Sequence, residues 1–442
     1  MTFARRSALK NLLGYWGFIS MNMKLLKATS AILLLPSFAL GQSAIPTTQF
    51  GMHDNNYMYG SPYPTVKFGS FRLWDLAGMT RWRDLETSRG VYNWGNLDNF
   101  ISLLNSHGVT DIIYTFGYTP SWAGPAATLP PSNNQDFLDF ISALATRYKG
   151  KITHYETWNE PYSSTFWTGT MGQLAQLQKD VYTTVKAIDP NATVHTPVLG
   201  SSSTSGDCSN SSASYGTGAF FSANGTANFD VVDLHLYPYP LSAGPAPETV
   251  GVMIANAKCS MNSSGIGSKP IWNTEFSWSM NSYLPSSTDQ VAFVGRSHLY
   301  FWSQGIPRSY WYAYDNQSEG TLVNTGTGAL TPAGVAYQQV YNWMSGATMT
   351  SKCALSNSIW TCGLTLANGH PALAVWLNVF KSSTTQSYTP PSQYDVYRDL
   401  AGNTSSVSGA VAIGERPVLF EDTSASTTAA PSAPTGLTAV AH

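Results

Sequence analysis

Charge is what this sequence has least of. Of its 442 residues only 11% are Asp, Glu, Lys or Arg, 23 basic against 25 acidic, for a net charge of −2, where about a quarter of residues is usual. With no basic excess to neutralise phosphates, the composition argues against a nucleic-acid partner. Cysteine is also scarce. The four present, Cys208, Cys259, Cys353 and Cys362, show no CxxC spacing and have no helical His pair beside them, which argues against a zinc site. No GxSxG elbow ends a candidate strand, so a serine esterase lacks support. The 43% hydrophobic and 13% aromatic content excludes a disordered chain. The length exceeds one ordinary domain of roughly 100–200 residues and suits one large barrel or two to three domains.

From Met21 the chain reads as an export signal. Lys24 and Lys27 form a positive segment, Ala31 to Leu35 a short apolar core, and Ala39-Leu40-Gly41 a small-residue cleavage site. That core is far shorter than the about 20 residues a bilayer-spanning helix needs, so no membrane association is expected. Residues 1–20 read as an upstream extension, and the mature, secreted chain (extracellular or periplasmic) is expected to begin near Gln42. Export favours two disulfides. Four cysteines allow three pairings, of which Cys353–Cys362 within a hairpin and Cys208–Cys259 between two long loops is preferred. Asn-x-Ser/Thr triplets at Asn191, Asn224 and Asn262 are read as chance in a chain rich in Ser and Asn.

Between residues 50 and 346, short apolar or β-branched runs alternate with stretches of helical period. Strands are expected at 50–54, 69–75, 111–117, 152–160, 193–200, 230–239, 269–276 and 308–315. Leu97, Phe100, Ile101 and Leu104 share a helical face that stops at Gly108. Phe137, Phe140, Ile141 and Leu144 do the same before Gly150, Leu174, Leu177, Val181 and Val185 before Asp189-Pro190, and Val291, Val294, His298 and Phe301 before Gly305. A last helix starts from a Thr331 cap and runs to Gly346. Eight such alternations predict an α/β fold, a (β/α)8 TIM barrel over 42–346. A doubly wound sheet would carry a Gly-rich phosphate loop after its first strand, whereas this one ends in Met52-His53-Asp54-Asn55-Asn56. Residues 347–421 hold short alternating runs at 359–364, 372–379, 393–397 and 417–421, which predict an appended C-terminal β-sandwich. Residues 422–442 read as a Ser/Thr/Ala/Pro linker whose end, PSAPTGLTAVAH, resembles the opening strand of a truncated fibronectin type III domain.

Barrel chemistry sits at the C-terminal ends of the strands. The fourth expected strand ends in Thr157-Trp158-Asn159-Glu160-Pro161 and the seventh in Trp272-Asn273-Thr274-Glu275-Phe276. Two carboxylates facing one another across a barrel mouth are what glycosidic cleavage needs, one protonated to assist the leaving oxygen and one ionised to attack the anomeric carbon. On these motifs, with Arg72 on the second strand, His235-Leu236-Tyr237 ending the sixth and Trp311 on the eighth, the chain resembles glycoside hydrolase clan A. Within the clan it is most similar to glycoside hydrolase family 39, through FRLWDLAGMTRW, YTFGYTPSWA, HYETWNEPYSSTFWTG and KPIWNTEF, over most of residues 47–421.

The resemblance implies a retaining glycosidase that cleaves β-glycosidic bonds of a polysaccharide or oligosaccharide and needs no cofactor or metal. It implies that Glu160 is the acid/base, Glu275 the nucleophile, and Asn159 the partner of the sugar 2-hydroxyl. Arg72 would then keep Glu275 ionised, His235 and Tyr237 would orient the nucleophile or touch substrate, and Trp311 would be the platform under the sugar. Trp278 and Trp122 are expected to bind sugar faces, and His53, ending the first strand, to line the pocket. Glu156 shares its strand face with Glu160 and is expected to be a structural carboxylate deeper in the barrel, while Asp315 and Glu319 shape a loop. Two alternatives accompany this reading: a barrel that binds carbohydrate without cleaving it, and a transglycosylase with the same mechanism. Oligomeric state is not legible.

Overall fold

The computed structural model describes residues 43–425 except Ala77. The export signal and most of the linker, with its fibronectin-like end, lie outside the described residues. All eight expected barrel strands form: β1 Phe50–Met52, β2 Ser70–Leu73, β3 Asp111–Thr115, β4 His154–Glu156, β5 Thr193–His195, β6 Val232–His235, β7 Ile271–Phe276 and β8 Ser309–Trp311. They are parallel and paired in ring order, β1 meeting β8 through Gly51 and Tyr310. Parallel bridges His195–Val231 and Leu199–Leu234 close the ring between β5 and β6. Most strands are shorter than expected, because the chain leaves the ladder near its C-terminal end, where site residues turn into the mouth.

Helices cover the outside. Gly95–Ser106, Asn134–Arg147, Met171–Ile188, Ser287–Ser303 and Pro332–Met344 are the five whose apolar stripes are legible in the sequence. Met171–Ile188 opens with a reciprocal Thr170/Gln173 cap, and Thr331 accepts the backbone N–H of Gly334, satisfying donors that a helix start otherwise leaves unpaired. Thr217–Asn224 and Gly251–Ser263 carry weak stripes; the second buries Asn256 and Ser260 beside Ile254 and Met261. The first βα crossover departs from the expected alternation and holds only a 3-10 turn, Tyr57–Tyr59. Pro62 and Pro64, following Gly60, leave no run of backbone donors from which a helix could propagate.

After the barrel come two antiparallel sheets. Six strands are ordered Thr348–Ser356, Ile359–Thr365, Pro371–Leu377, Val418–Glu421, Val396–Arg398 and Thr404–Ser406, and Gln386–Tyr388 pairs with Val411–Ile413. Val375, Ile413 and Phe420 fill the space between them with Tyr388 and Tyr397, completing the sandwich. Both preferred disulfides form, Cys353–Cys362 across the first hairpin and Cys208–Cys259. Cys259 lies on the helix Gly251–Ser263, not in a loop.

Barrel and sandwich meet around one buried cation. Arg296 grips both carboxylate oxygens of Glu248 at 2.7 Å and donates to Val379 O, while the Trp376 indole N–H also donates to Glu248. The Arg296 and Glu248 side chains are 1% and 8% exposed, so removing one partner strands a desolvated charge. Arg296→Ala is expected to lower unfolding free energy by about 3–5 kcal/mol in urea titration. Arg147→Ala, which breaks the solvent-exposed pair with Asp98, is expected to cost less than about 1 kcal/mol. Equal midpoint shifts in the two variants would refute a buried ionic joint.

Candidate active site

The barrel interior is layered. Ile113, Val231, Trp272 and Tyr310 form a separate apolar cluster, and above it the inward positions turn polar. Arg72, 1% exposed, donates from Nε to Glu156 Oε2 at 2.9 Å, from Nη2 to Asn159 Oδ1 at 2.7 Å and from Nη1 to Glu275 Oε2 at 3.0 Å. Glu156 Oε2 also accepts the Thr115 hydroxyl at 2.7 Å. Glu156 is fully buried, in the structural position expected for it.

Local geometry breaks at both strand ends that carry the outer carboxylates. Glu160 has φ +38°, the left-handed region, a strain of order 1–3 kcal/mol for a non-glycine residue. The loop after it is pinned by the Trp158 indole donating to Phe166 O at 3.0 Å and packing edge-on against Trp167. On β7 the pairing slips between Leu234–Asn273 and His235–Glu275. That bulge lets Trp272 face the interior cluster and Glu275, an odd number of residues later, still face the mouth.

The two carboxylates come together. Oxygens of Glu160 and Glu275, with a ring nitrogen of His235, all lie within 4.8 Å of one another. His235 Nδ1 lies 2.6 Å from Glu160 Oε1 and its Nε2 3.7 Å from Glu275 Oε2. Tyr162 donates to Glu160 at 2.9 Å and Tyr237 to Glu275 at 2.7 Å. This is the one His/Cys/Asp/Glu cluster among the described residues with metal-ligand spacing, but the adjacent Arg72 guanidinium opposes a cation there.

Two desolvated carboxyls at this separation favour a shared proton over two charges. Burial and then the charge of Glu160 push the Glu275 carboxyl well above its ordinary value, with Arg72 pulling it back. Burial also pushes Glu160 up, but the hydrogen bonds from His235 and Tyr162 outweigh it and hold that carboxyl below its ordinary value. Arg72 acts in the expected direction on Glu275, lowering its carboxyl, against burial and the charge of Glu160, which raise it. Burial holds His235 below its ordinary value.

A cavity of about 710 Å³ opens over the pair, lined by Asn159, Glu160, His235, Tyr237 and Glu275 together with Trp74, Asp75, Tyr162, Phe166, Tyr312 and Glu319. Five expected residues are not in its lining, Arg72 among them, buried beneath Glu275 and Asn159. Trp311 is fully buried against Phe276 and Trp278 and donates to Gly320 O. Tyr310 faces the interior cluster, so strand alternation turns Trp311 outward and gives the mouth to Tyr312. Trp278, 2% exposed, packs on Phe293. Trp122 borders a separate small pocket beside Arg83. His53 bonds Thr274 O at 3.0 Å beneath the Tyr312 ring. Tyr312 and Glu319 are the residues sequence reasoning missed or set aside; strand parity identifies the first, whereas Glu319 enters through a loop fold with no sequence signal, accepting the Ser279 hydroxyl at 3.1 Å. Removing the Tyr237 hydroxyl takes a donor from ionised Glu275, so Tyr237→Phe is expected to raise the Glu275 pKa. A carbon-NMR titration of labelled glutamate carboxyls reads the shift; a downward or absent shift counts against the contact.

The cellulase (glycosyl hydrolase family 5) model matches residues 80–317, more than half of the chain. Endo-1,4-beta-xylanase 1 of Gibberella zeae is 30% identical over 83 residues, 18% of this chain and 23% of that protein. Endo-1,4-beta-xylanase 1 of Arabidopsis thaliana is 25% identical over 126 residues, 27% and 13% of the two chains. The chain thus covers less than a quarter of each relative's length. Among solved structures, a family 39 glycoside hydrolase from Bacteroides cellulosilyticus WH2 superposes with a TM-score of 0.64 at 19% identity, covering 85% of this chain and 81% of that one. A monomeric beta-xylosidase from Caulobacter crescentus CB15 gives 0.58 at 16% identity, covering 86% and 97%. At such identities the superpositions speak for the fold, and the family match speaks for descent. The clan A resemblance read from the motifs stands: the chain belongs to the cellulase (glycosyl hydrolase family 5) family.

Proposed function

We propose that the protein is an exported, retaining β-glycosidase acting on β-linked polysaccharide or oligosaccharide, with Glu275 as nucleophile and Glu160 as acid/base. The observation that carries this is the approach of their oxygens to within 4.8 Å. Retaining enzymes hold the pair about 5–5.5 Å apart, whereas inverting ones leave about 6.5–9.5 Å for a water. Glu275 attacks the anomeric carbon as the bond to the leaving oxygen breaks, and Glu160 gives that oxygen its proton. Water then loses a proton to Glu160, attacks the anomeric carbon and releases Glu275. Asn159, tied to Arg72, is placed to meet the sugar 2-hydroxyl, a contact that strengthens in the transition state.

The pair must start with its proton on Glu160. His235 stands between the two carboxyls, with Nδ1 2.6 Å from Glu160 Oε1 and Nε2 3.7 Å from Glu275 Oε2. The two carboxyls interact directly, so the pH profile belongs to the pair. The two disulfides support export. The barrel over 42–346 forms the catalytic unit, with the sandwich over 347–421 as its support. The relatives' printed activity makes β-1,4-linked xylan the first substrate to test.

On aryl β-xylosides and β-glucosides, Glu275→Ala is expected to reduce hydrolysis to background. Glu160→Ala is expected to slow turnover by about 10²–10⁴-fold and to recover with azide, and the first product seen by proton NMR is the β-anomer. Wild-type rates in both variants, or inversion, would overturn the assignment.

A further inference from the structure

One layer below Glu160 and Glu275 lies a second pair of carboxyls, Glu156 and Asp233, both fully buried. The pairing of β3, β4 and β5 sets Thr115, Glu156 and His195 side by side. Asp233 of β6 joins the row through His195, whose Nδ1 lies 3.0 and 2.9 Å from its two carboxyl oxygens. Arg72 and Thr115 both donate to Glu156 Oε2, whereas Oε1 meets no N–H or O–H donor among the described residues. Glu156 is joined instead to Asp233 by a side-chain hydrogen bond. A hydrogen bond between two carboxyls exists only while one of them carries a proton.

One cation serves both pairs. Arg72 holds Glu156 through Nε and Glu275 through Nη1, and among the described residues it is the one Lys or Arg bonded to either pair. The other ionisable groups facing the lower pair are His195 from β5 and His235 from β6. Burial brings His195 down to about 3 and holds His235 below its ordinary value, so neither adds a positive charge at neutral pH. Beyond His195, Thr193 Oγ1 lies 2.9 Å from its Nε2 and 2.6 Å from His154 Nδ1, and His154 faces the Asp111–Arg308 pair. Trp272 packs edge-on against His195, closing the row off from the apolar layer. Negative charge on Glu156 stands directly across the guanidinium from Glu275, so each charge added there makes Glu275 harder to ionise.

We propose that Asp233 is a positioning residue for the glycosidase reaction: it shares one proton with Glu156, and that proton limits the negative charge beneath Arg72, leaving the guanidinium free to act on Glu275. The proposal rests on the reading of Glu275 as nucleophile. In Asp233→Asn the amide donates to Glu156 without a proton to share, so Glu156 becomes a full carboxylate against Arg72. Glu156→Gln does the opposite and removes the negative charge in contact with Arg72.

The test is the acidic limb of kcat/KM on para-nitrophenyl β-xyloside and β-glucoside, the limb set by the first proton lost from the Glu160–Glu275 pair. Asp233→Asn is expected to move that limb up by about one pH unit and Glu156→Gln to move it down by about as much. Side chains that merely braced the barrel would lower thermal stability or kcat without opposite movements of the limb. Carbon-NMR titration of labelled Asp and Glu carboxyls in the wild type needs neither variant to fold: Asp233 and Glu156 are expected to titrate together, above the ordinary carboxylate range. Independent titration of the two within that range overturns the proposal. So do limbs that stay put or move the same way in folded variants, and both results leave Glu275 as nucleophile. Wild-type hydrolysis by Glu275→Ala overturns that reading and the proposal with it.

Discussion

One guanidinium organises the mouth of the barrel. Arg72 is taken almost wholly out of water, which costs several kcal/mol unless its charge and its donors are met. They are met by Glu156 below, Asn159 beside and Glu275 above. The same contacts therefore stabilise the fold and set the spacing between the strand ends of β4 and β7. A fixed cation between the deep carboxylate of Glu156 and the outer one of Glu275 means that neither can relax without exposing the other. Preorganisation here follows from that electrostatic constraint, and the cavity needs no separate device to hold its carboxylates at their separation.

How much of this was legible in the sequence depended on whether local rules were obeyed. The strands and the five strongly striped helices obey them, and their existence could be read directly. Thr217–Asn224 and Gly251–Ser263 bury small and polar residues, so their faces lack the apolar period. In the sandwich, Thr404–Ser406 is exposed at every position, leaving no alternation to detect. Motifs at strand ends named Glu160, Glu275, Asn159 and Arg72, and the structure brings these four side chains to one end of the barrel. Trp311 was named through the family resemblance, and strand parity was not applied to it. Tyr310 faces inward, so its successor Trp311 had to face the helices, and the same count would have named Tyr312.

The two facing carboxylates sit where the backbone departs from regularity. Glu160 takes a left-handed conformation and Glu275 follows a register slip. Both departures reorient a carboxylate that an ideal strand would have pointed elsewhere, and both are held by indole or amide contacts nearby, Trp158 to Phe166 O and Asn273 to the backbone N–H of Leu236. Strain of this kind persists only when surrounding packing over-determines it.

The joint at Arg296 carries a consequence for how the chain can be divided. Glu248 takes one partner from a barrel helix and another, Trp376, from the sandwich, so cutting at the apparent seam would leave an acid half-paired in an apolar pocket. The sandwich is then no detachable accessory. Trimming that removes it takes the indole donor from Glu248 and the Val379 carbonyl from Arg296, uncovering a buried ion pair.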